Sequence, residues 1–414
     1  MERLPGFRDF YPEPIPHTDV WSADARQFIF EKWRTVARRY NFREYDGPPL
    51  EPLELFTTKS GDEIVAQLYN FTDKGNRAIA LRPEMTPTLA RMIAAHERNY
   101  KKPIKWFAIP QLFRYERQQK GRLREHFQFN ADIIGETDPA ADAELIALLI
   151  DTLRAFGLTE QDFVIRLSSR NAWHDYYKKG KHKTENGHEY EFFQVIDKLE
   201  RASPEESEKK LSALGFSLAE VNQFIEAGKP TAELESILQN LAARGLREYA
   251  RVDYKVVRGL AYYTGVVFEA FDAKGEFRAI AGGGRYDNLV KLISGGKVEL
   301  PALGFGMGDV VLLELLKERK LLPAFDSRTD VFVVVEDEAL RTQSLQLVQE
   351  LRSAGYAVEF ALTPAKPDKQ FKRAQELKAA FTARLENDAY VRIRNLKTRA
   401  EVVAGVSDTK NHLR

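Results

Sequence analysis

The stretch IKWFAIPQLFRYERQQKGRLREHFQFNADII, residues 104–134, decides the fold. Its ends, 104–115 and 126–134, both read as strands, and they straddle RQQKGRLREH, residues 117–126, which holds Arg117, Lys120, Arg122 and Arg124 with no acid before Glu125. Strand, basic loop and strand in that order predict a long hairpin with a cationic tip. Arg114 and Glu116 stand two apart, and Gln128 and Asp132 four apart, so in extended chain each pair projects to one side. Four polar groups on paired strands make a lined floor. An arginine reading a phosphate and a glutamate accepting from an exocyclic amine would suit a nucleotide, although an ion pair between Arg114 and Glu116 is the simpler reading of those two alone.

Outward from the hairpin, the elements of a layered α+β domain appear on both sides. Residues 18–40 carry Val20, Trp21, Ala25, Phe28, Ile29, Trp33, Val36 and Ala37 at helical spacing. Pro48 and Pro49 then forbid a helix, so Tyr45 to Leu55 reads as an extended segment at a sheet edge or a subunit contact. QLYNFTD, the Lys74-Gly75-Asn76 turn and AIALRPEMT form a second hairpin, and PTLARMIAAHERNY closes it with a helix. Within LRPEMT, residues 81–86, the Glu84 carboxylate and Thr86 hydroxyl could grip an ammonium group from one face; taken alone, Thr86 reads more simply as a helix cap ahead of Pro87. A helix follows over AADAELIALLIDTLRAFG, entered through Asp138 and Pro139, and DFVIRLSS returns as a strand.

From 171 to 245 the pattern turns to helices with polar loops, including a second basic patch, YYKKGKHK at 176–183, and this reads as a helical insertion. Strands resume at 252–258, 264–271 and 277–281, ahead of the glycine cluster AGGGRYDNL. VVRGLAYYTG, residues 256–265, places Arg258 in an apolar run read as strand. Such a charge must be paired, exposed or aimed at a ligand. Gly259 leaves the backbone open to close approach, and Tyr262 and Tyr263 would offer one phenol to each sheet face. AGGGRYDN lacks the G-x-G-x-x-G spacing of a dinucleotide site, so no nucleotide fold is argued from it. From Thr329 strands and helices alternate behind the linker RKLLPAFDSRTD, describing a small α/β domain.

Composition sets outer limits. A chain of 414 residues exceeds one ordinary core, so two or three domains are expected. With 62 basic and 61 acidic residues the net charge of +1 gives no global pull on nucleic acid, which must be met by local patches. Cysteine is absent, which excludes thiolate nucleophiles and zinc–sulfur sites. No stretch approaches the apolar length of a membrane span, and MERLPGFRDFYPEP has charges and prolines where a signal peptide needs an apolar block, so a cytoplasmic location is expected.

LPGFRDFYPE, LRPEMTPTLARM, FRYERQQKGRLREHFQFNADIIGE, VVRGLAYYTGVVFEAF, AGGGRYDNLV and ALGFGMGD, in this order and with these gaps, resemble a class II aminoacyl-tRNA synthetase of the histidyl-tRNA synthetase family. The likeness spans essentially the whole chain, and the RGLxYYTG and GGGRYD segments are its histidine-specific marks. It implies an α+β catalytic core, an antiparallel sheet flanked by helices, over 1–170 and 246–322. A helical insertion is implied over 171–245, and an α/β anticodon-binding domain over 329–414. The reaction implied is attack of the histidine carboxylate on the α-phosphate of ATP, with Mg2+ on the outer phosphates, followed by transfer of histidine to the 3′-terminal adenosine of its tRNA. The Pro48 region would build a homodimer contact. Carried over by position, Glu84, Thr86 and Gln128 would hold the α-amino end of histidine. Asp132 and Tyr263 would face its side chain, with Tyr262 and Tyr286 completing the wall. Arg114 and Arg258 would meet the α-phosphate and carboxylate as the catalytic cations, Glu116 the adenine and Arg122 the polyphosphate. No metal site built from protein side chains is implied.

The chain departs from the family pattern in three places. Val310 and Val311 stand where the third class motif has Glu-Arg, and the Gly-Asp form before them reads as a subgroup mark. Ala261 replaces a common aspartate, and Asp132 a more frequent glutamate. The segment between Lys378 and Tyr390 is shorter than the family norm. The rival reading is the inactive synthetase-like regulatory subunit of ATP phosphoribosyltransferase, which usually lacks both the anticodon-binding domain and the catalytic arginine.

Overall fold

The computed structural model describes residues 2–17, 20–57, 65–116, 123–180, 188–200, 202–258, 262–325 and 329–413. The chain divides into two compact units, Met1–Phe10 with His17–Leu322, and Tyr11–Pro16 with Pro323–Arg414.

Residues 104–116 and 123–134 of the expected hairpin lie inside the first unit's main sheet, and residues 117–122 at its tip lie outside the described residues. Glu125–Ile134 pairs antiparallel with Ile104–Ala108 on one side and Ala302–Gly308 on the other, and Gln111–Phe113 pairs with its start. The strand order across the sheet is Ala250–Val252, Phe163–Ser169, Val266–Asp272, Ala281–Arg285, Ala302–Gly308, Glu125–Ile134, Ile104–Ala108 and Arg43–Glu44. The centre is antiparallel throughout. Both outermost pairs are parallel, so the sheet is mixed where an antiparallel one was expected.

Directly paired residues share a face, and the two faces differ in chemistry. Phe107, Phe129 and Phe305 occupy one, with ring centroids 5.8 and 5.5 Å apart in succession. Helix Ala23–Arg39 covers that face: Ser22 accepts from the Ala25 amide as its cap, and Trp33 stacks on Phe129 at 5.7 Å. Helix Pro139–Arg154, capped by Asp138 as its sequence predicts, is buried beside it. The opposite face carries Trp106, Asp132, Gly304 and Gly284 in register from strand to strand.

Several local expectations are corrected. Pro48 and Pro49 do lead into an extended edge, Leu50–Pro52, but Leu53–Thr57 is a short helix. The run 253–258 is loop rather than strand, because its apolar content serves packing: Val256 and Val257 are buried as side chains of an irregular segment. The glycines of AGGGR form the strand Ala281–Arg285 itself, in place of the strand expected at 277–281. Residues 171–245 are helical where described, with helices Arg170–Lys179, Glu189–Asp197, Pro204–Ala213, Leu218–Ala227 and Ala232–Ala243. Lys181, His182 and Lys183 of the second basic patch lie outside the described residues.

The second unit has a five-stranded sheet in the order Val358–Phe360, Val331–Val333, Phe381–Leu385, Tyr390–Asn395, Glu401–Gly405. Its first three strands are parallel and the rest antiparallel. Val331, Val333, Leu347, Leu351, Ala383 and Val391 form its core. Among the described residues no helix is long and apolar enough to cross a membrane.

One buried ion cluster ties distant segments of the first unit. Arg8 donates from Nε to Glu125 Oε1 at 2.5 Å and from Nη1 to Asp309 Oδ2 at 2.8 Å, while Asp309 Oδ1 accepts from the Phe127 amide at 3.0 Å. Burial pushes the Asp309 carboxyl up and Arg8 pulls it back. Removing the only cation of this trio leaves two carboxylates stranded. Arg8→Ala is therefore expected to cost about 3–5 kcal/mol of unfolding free energy, read by urea denaturation; a loss under 1 kcal/mol would mean that water reaches the cluster.

Candidate active site

On the face opposite Phe107, Phe129 and Phe305, four glycines in two adjacent strands are paired directly: Gly282 with Gly306 and Gly284 with Gly304. Three of these positions are roofed by side chains lying flat on the backbone. A Cβ at Gly282 would come 2.3 Å from Arg258 Nη1, one at Gly306 2.6 Å from Gln128 Cδ, and one at Gly304 would overlap Asp132 Oδ1. The missing methyl groups are what lets a cation, an amide and a carboxylate lie against the same floor. Gln128 and Asp132 project to one side of their strand, as their spacing predicts.

Arg258 takes its place from the loop before strand Val266–Asp272, at a φ of 61°, in the left-handed region. Its carbonyl accepts from Arg170 Nη1 at 3.1 Å and its Nη1 donates to Glu269 Oε1 at 2.5 Å. It also lies 5.6 Å over the Tyr263 ring and donates to that hydroxyl. Burial works against the charge, but Tyr263 and Glu269 outweigh it and the guanidinium pKa is raised. Its buried Nε has no partner among the described residues. Gly259, where close approach to the backbone was expected, and Ala261 lie outside the described residues.

Glu84 and Thr86 converge on one phenol. Tyr262 donates to Glu84 Oε2 at 2.7 Å, and the Thr86 hydroxyl bonds the same Tyr262 oxygen. Thr86 is not a cap: Met85 occupies the N-cap of helix Thr86–His96 and no side chain satisfies it. Tyr262 and Tyr263 do not split between two faces either, since they leave a loop rather than a strand. Their rings lie 5.1 Å apart in one cluster with Tyr286.

Asp132 is nearly sealed from solvent, with its Oδ1 accepting from Tyr286 at 2.6 Å. Burial pushes its carboxyl up to about 7, with Tyr286 pulling the other way. Arg114 lies at the strand end, its Nε donating to the Pro83 carbonyl at 2.9 Å and its Nη1 standing 3.9 Å from Glu116 Oε1. The strand has stopped at Phe113 and the Glu116 amide turns back to the Arg114 carbonyl, so a turn rather than strand periodicity brings those two together. Arg122 falls outside the described residues.

Three neighbours escaped the sequence reading. Glu269, the orienting acid for Arg258, could have been found as the lone carboxylate of VVFEAF. His126 shares the side of Gln128 by period-two spacing. Burial, Arg114 and Arg8 push its imidazole down to about 3, so it adds no charge beside Arg114. Tyr45 left no signal, because tertiary packing alone brings it in. Among the described residues no group of three or more His, Asp or Glu side chains converges as a cation would require.

A sheet of this order, flanked by helices and carrying an arginine and buried carboxylates beside a glycine floor, is the catalytic architecture of the class II aminoacyl-tRNA synthetases. The comparisons agree. Residues 18–309 match the family model for histidyl-tRNA synthetase and residues 330–414 that for the anticodon binding domain. The histidine–tRNA ligase of Opitutus terrae is 45% identical, covering 97% of this chain and 95% of its own. The chloroplastic/mitochondrial histidine–tRNA ligase of Arabidopsis thaliana is 39% identical over 90% of this chain and 78% of its own. The crystal structure of histidyl-tRNA synthetase from Nostoc sp. superposes with a TM-score of 0.75 at 21% identity, over 94% of this chain and 95% of that one, which bears on the fold alone. The chain belongs to the histidyl-tRNA synthetase family.

The raised Asp132 carboxyl makes a stability prediction with a definite sign. The folded state holds this proton more tightly than the unfolded chain, so its contribution is complete below the unfolded pKa and is lost as pH rises to about 7. Asp132→Asn keeps an acceptor for Tyr286 and removes the ionisation. The variant should gain on the parent chain by on the order of 2 kcal/mol more at pH 8 than at pH 5, as read by denaturant unfolding; a difference independent of pH would mean an ordinary, hydrated carboxylate.

Proposed function

We propose that this chain is a histidine–tRNA ligase, activating histidine with ATP and passing it to the 3′ end of histidine tRNA. One observation carries the reading: Arg258 lies on the glycine floor with Asp132 and Gln128, held by Glu269. A buried acid and phenol at Glu84 and Tyr262 suit the α-ammonium group, with Thr86 beside them and Gln128 on the floor. Asp132 with Tyr286 suits the N–H of an imidazole, and Tyr262 and Tyr263 wall the space. Arg114 and Arg258 then flank the point where the histidine carboxylate attacks the α-phosphorus and pyrophosphate leaves. Both hold positive charge where the five-coordinate phosphorus gathers negative charge. In the second step the terminal adenosine hydroxyl attacks the histidyl carbonyl and AMP departs, so no protein nucleophile is needed.

Glu116 serves the adenine and Arg122 the polyphosphate in this reading. Magnesium bound with the triphosphate would neutralise its outer phosphates. The partition into core, 171–245 insertion and 329–414 tail, a homodimer through the Pro48 edge, and a cytoplasmic location complete the proposal. The regulatory alternative is not favoured, since the arginine that such proteins usually lack is in place and the tail matches an anticodon-binding domain.

Histidine-dependent exchange of labelled pyrophosphate into ATP is the direct test, and folded protein without exchange would sink the proposal. Arg258→Ala should lower the exchange rate by roughly 100-fold, about 3 kcal/mol, with histidine affinity nearly unchanged. Lost affinity at an unchanged rate would assign this arginine to structure instead.

A further inference from the structure

Residues 258–265 carry Arg258, Tyr262 and Tyr263, and one residue from another segment grips both ends of that run. Arg170 follows strand Phe163–Ser169 and opens helix Arg170–Lys179. Its backbone amide donates to the Gly265 carbonyl at 3.0 Å, extending the ladder in which Ser169 pairs with Val266. Its side chain reaches the other end, where Nη1 donates to the Arg258 carbonyl at 3.1 Å. The Ser169 hydroxyl accepts from the Ala172 amide and caps the helix, so Arg170 stands where sheet and helix meet.

The two grips depend on different things. The amide is set by the sheet. The guanidinium is set by a second helix, since it lies 4.3 Å over the ring of Phe193 in Glu189–Asp197. Phe193 is buried, 6.1 Å from the ring of Phe192, which packs in turn on Trp173 at 5.8 Å. A planar guanidinium lying on an aromatic face has its donors held in one plane. The residue it holds needs holding: Arg258 has a φ of 61°, a conformation that a non-glycine residue keeps only where its surroundings impose it. Freed at the carbonyl, that backbone would relax and carry the guanidinium away from Gly282 and Glu269.

We propose that Arg170 is a positioning residue for the reaction: by holding the Arg258 carbonyl it keeps the Arg258 guanidinium on the glycine floor, and through Phe193 it makes that hold depend on the packing of helix Glu189–Asp197. The helical stretch thereby acts on the rate without touching the reacting atoms. Arg170 works through Arg258 and not on the phosphate. The inference rests on the histidine–tRNA ligase reading of this site.

Arg170→Met keeps the backbone amide and an apolar stem and deletes the donors. In pyrophosphate exchange its kcat should fall roughly 10-fold, with the histidine KM within about threefold of the parent. Arg170→Lys keeps a donor that can reach the carbonyl but no plane to stack, and should recover part of the rate. Phe193→Leu leaves Arg170 in place without its ring and should lower kcat by about threefold or more. A double-mutant cycle decides the matter: in an Arg258→Ala background the same substitutions should change the rate by less than about twofold, because the residue they act through is gone. Full losses in that background would overturn the assignment, as would an unchanged kcat in Arg170→Met or a loss confined to the histidine KM. Phe193→Leu exchanging at the parent's rate would overturn the coupling to the helix, and its cycle decides alone if Arg170→Met does not fold. A parent chain without histidine-dependent exchange would overturn the functional reading first, and this role with it.

Discussion

The site depends on an absence of side chains. At Gly282, Gly304 and Gly306 even one methyl group would intersect Arg258, Asp132 or Gln128. The strands carrying these glycines lie in the middle of the sheet, where glycine costs backbone entropy and offers nothing to pack. The loss is tolerated because the opposite face is dense with aromatic rings from Phe107, Phe129 and Phe305, backed by two long helices. The other face has its own apolar cluster, with Ile104, Ile134 and Ala302 packed by Leu89, Ile93 and Leu289, and beside it the glycines let charged groups lie close to a flat backbone. This division also explains why several polar residues can be buried together: each lies on peptide rather than hydrocarbon, and most reach a named partner.

The departure at the third class motif gains a physical account from the same face-to-face logic. Val310 is buried in helix Asp309–Glu318, and Val311 likewise carries no charge. The residue before them has taken a structural task. Asp309 opens the helix, where a carboxylate is favoured by the exposed amides, and it also receives the Phe127 amide and Arg8. Through Arg8 the same cluster reaches Glu125, which accepts from Gln111 as well at 3.0 Å. The helix start, the base of the central hairpin and the N-terminal segment are thereby fixed to one another beneath Arg114 and His126. The chemistry at this end is anchoring, and the Gly-Asp form belongs to it.

Legibility followed the range of the interaction. Helix Ala23–Arg39 within the expected 18–40, helix Pro139–Arg154 entered through Asp138, and the hairpin around Lys74-Gly75-Asn76 are set by neighbours within a few residues, and their signals were plain. The pairing of Gln128 with Asp132 was equally plain, because a strand's period of two does not depend on tertiary context. What failed was local reasoning about segments governed by distant partners. Val256 and Val257 looked like strand because they are buried, yet burial came from loop packing. Thr86 looked like a cap because Pro87 follows it, yet a tyrosine 176 positions on claims its hydroxyl. Tyr45 gave no signal at all, since its neighbours Trp106, Asp132 and Tyr286 come from three other segments. The residue types at the site were readable; which of them touch was decided by the sheet order.

The misread loop around Arg258 shows why that difference matters for chemistry. A guanidinium on a regular strand would follow the pleat and stand away from the sheet. Placed in the left-handed region, it is turned back over Gly282 toward Glu269. That conformation costs a non-glycine residue on the order of 1–3 kcal/mol and persists only when the surroundings over-determine it. Here they do, through the Arg170 bond to its carbonyl, the Glu269 carboxylate and the Tyr263 ring. The strain is therefore met during folding. In the proposed reaction a charge held by these partners would need little reorientation as the reacting phosphorus becomes more negative, an advantage that an arginine free to swing in water would lose. The strained loop is a requirement of the site, and the regular strand that the sequence seemed to promise would not have served.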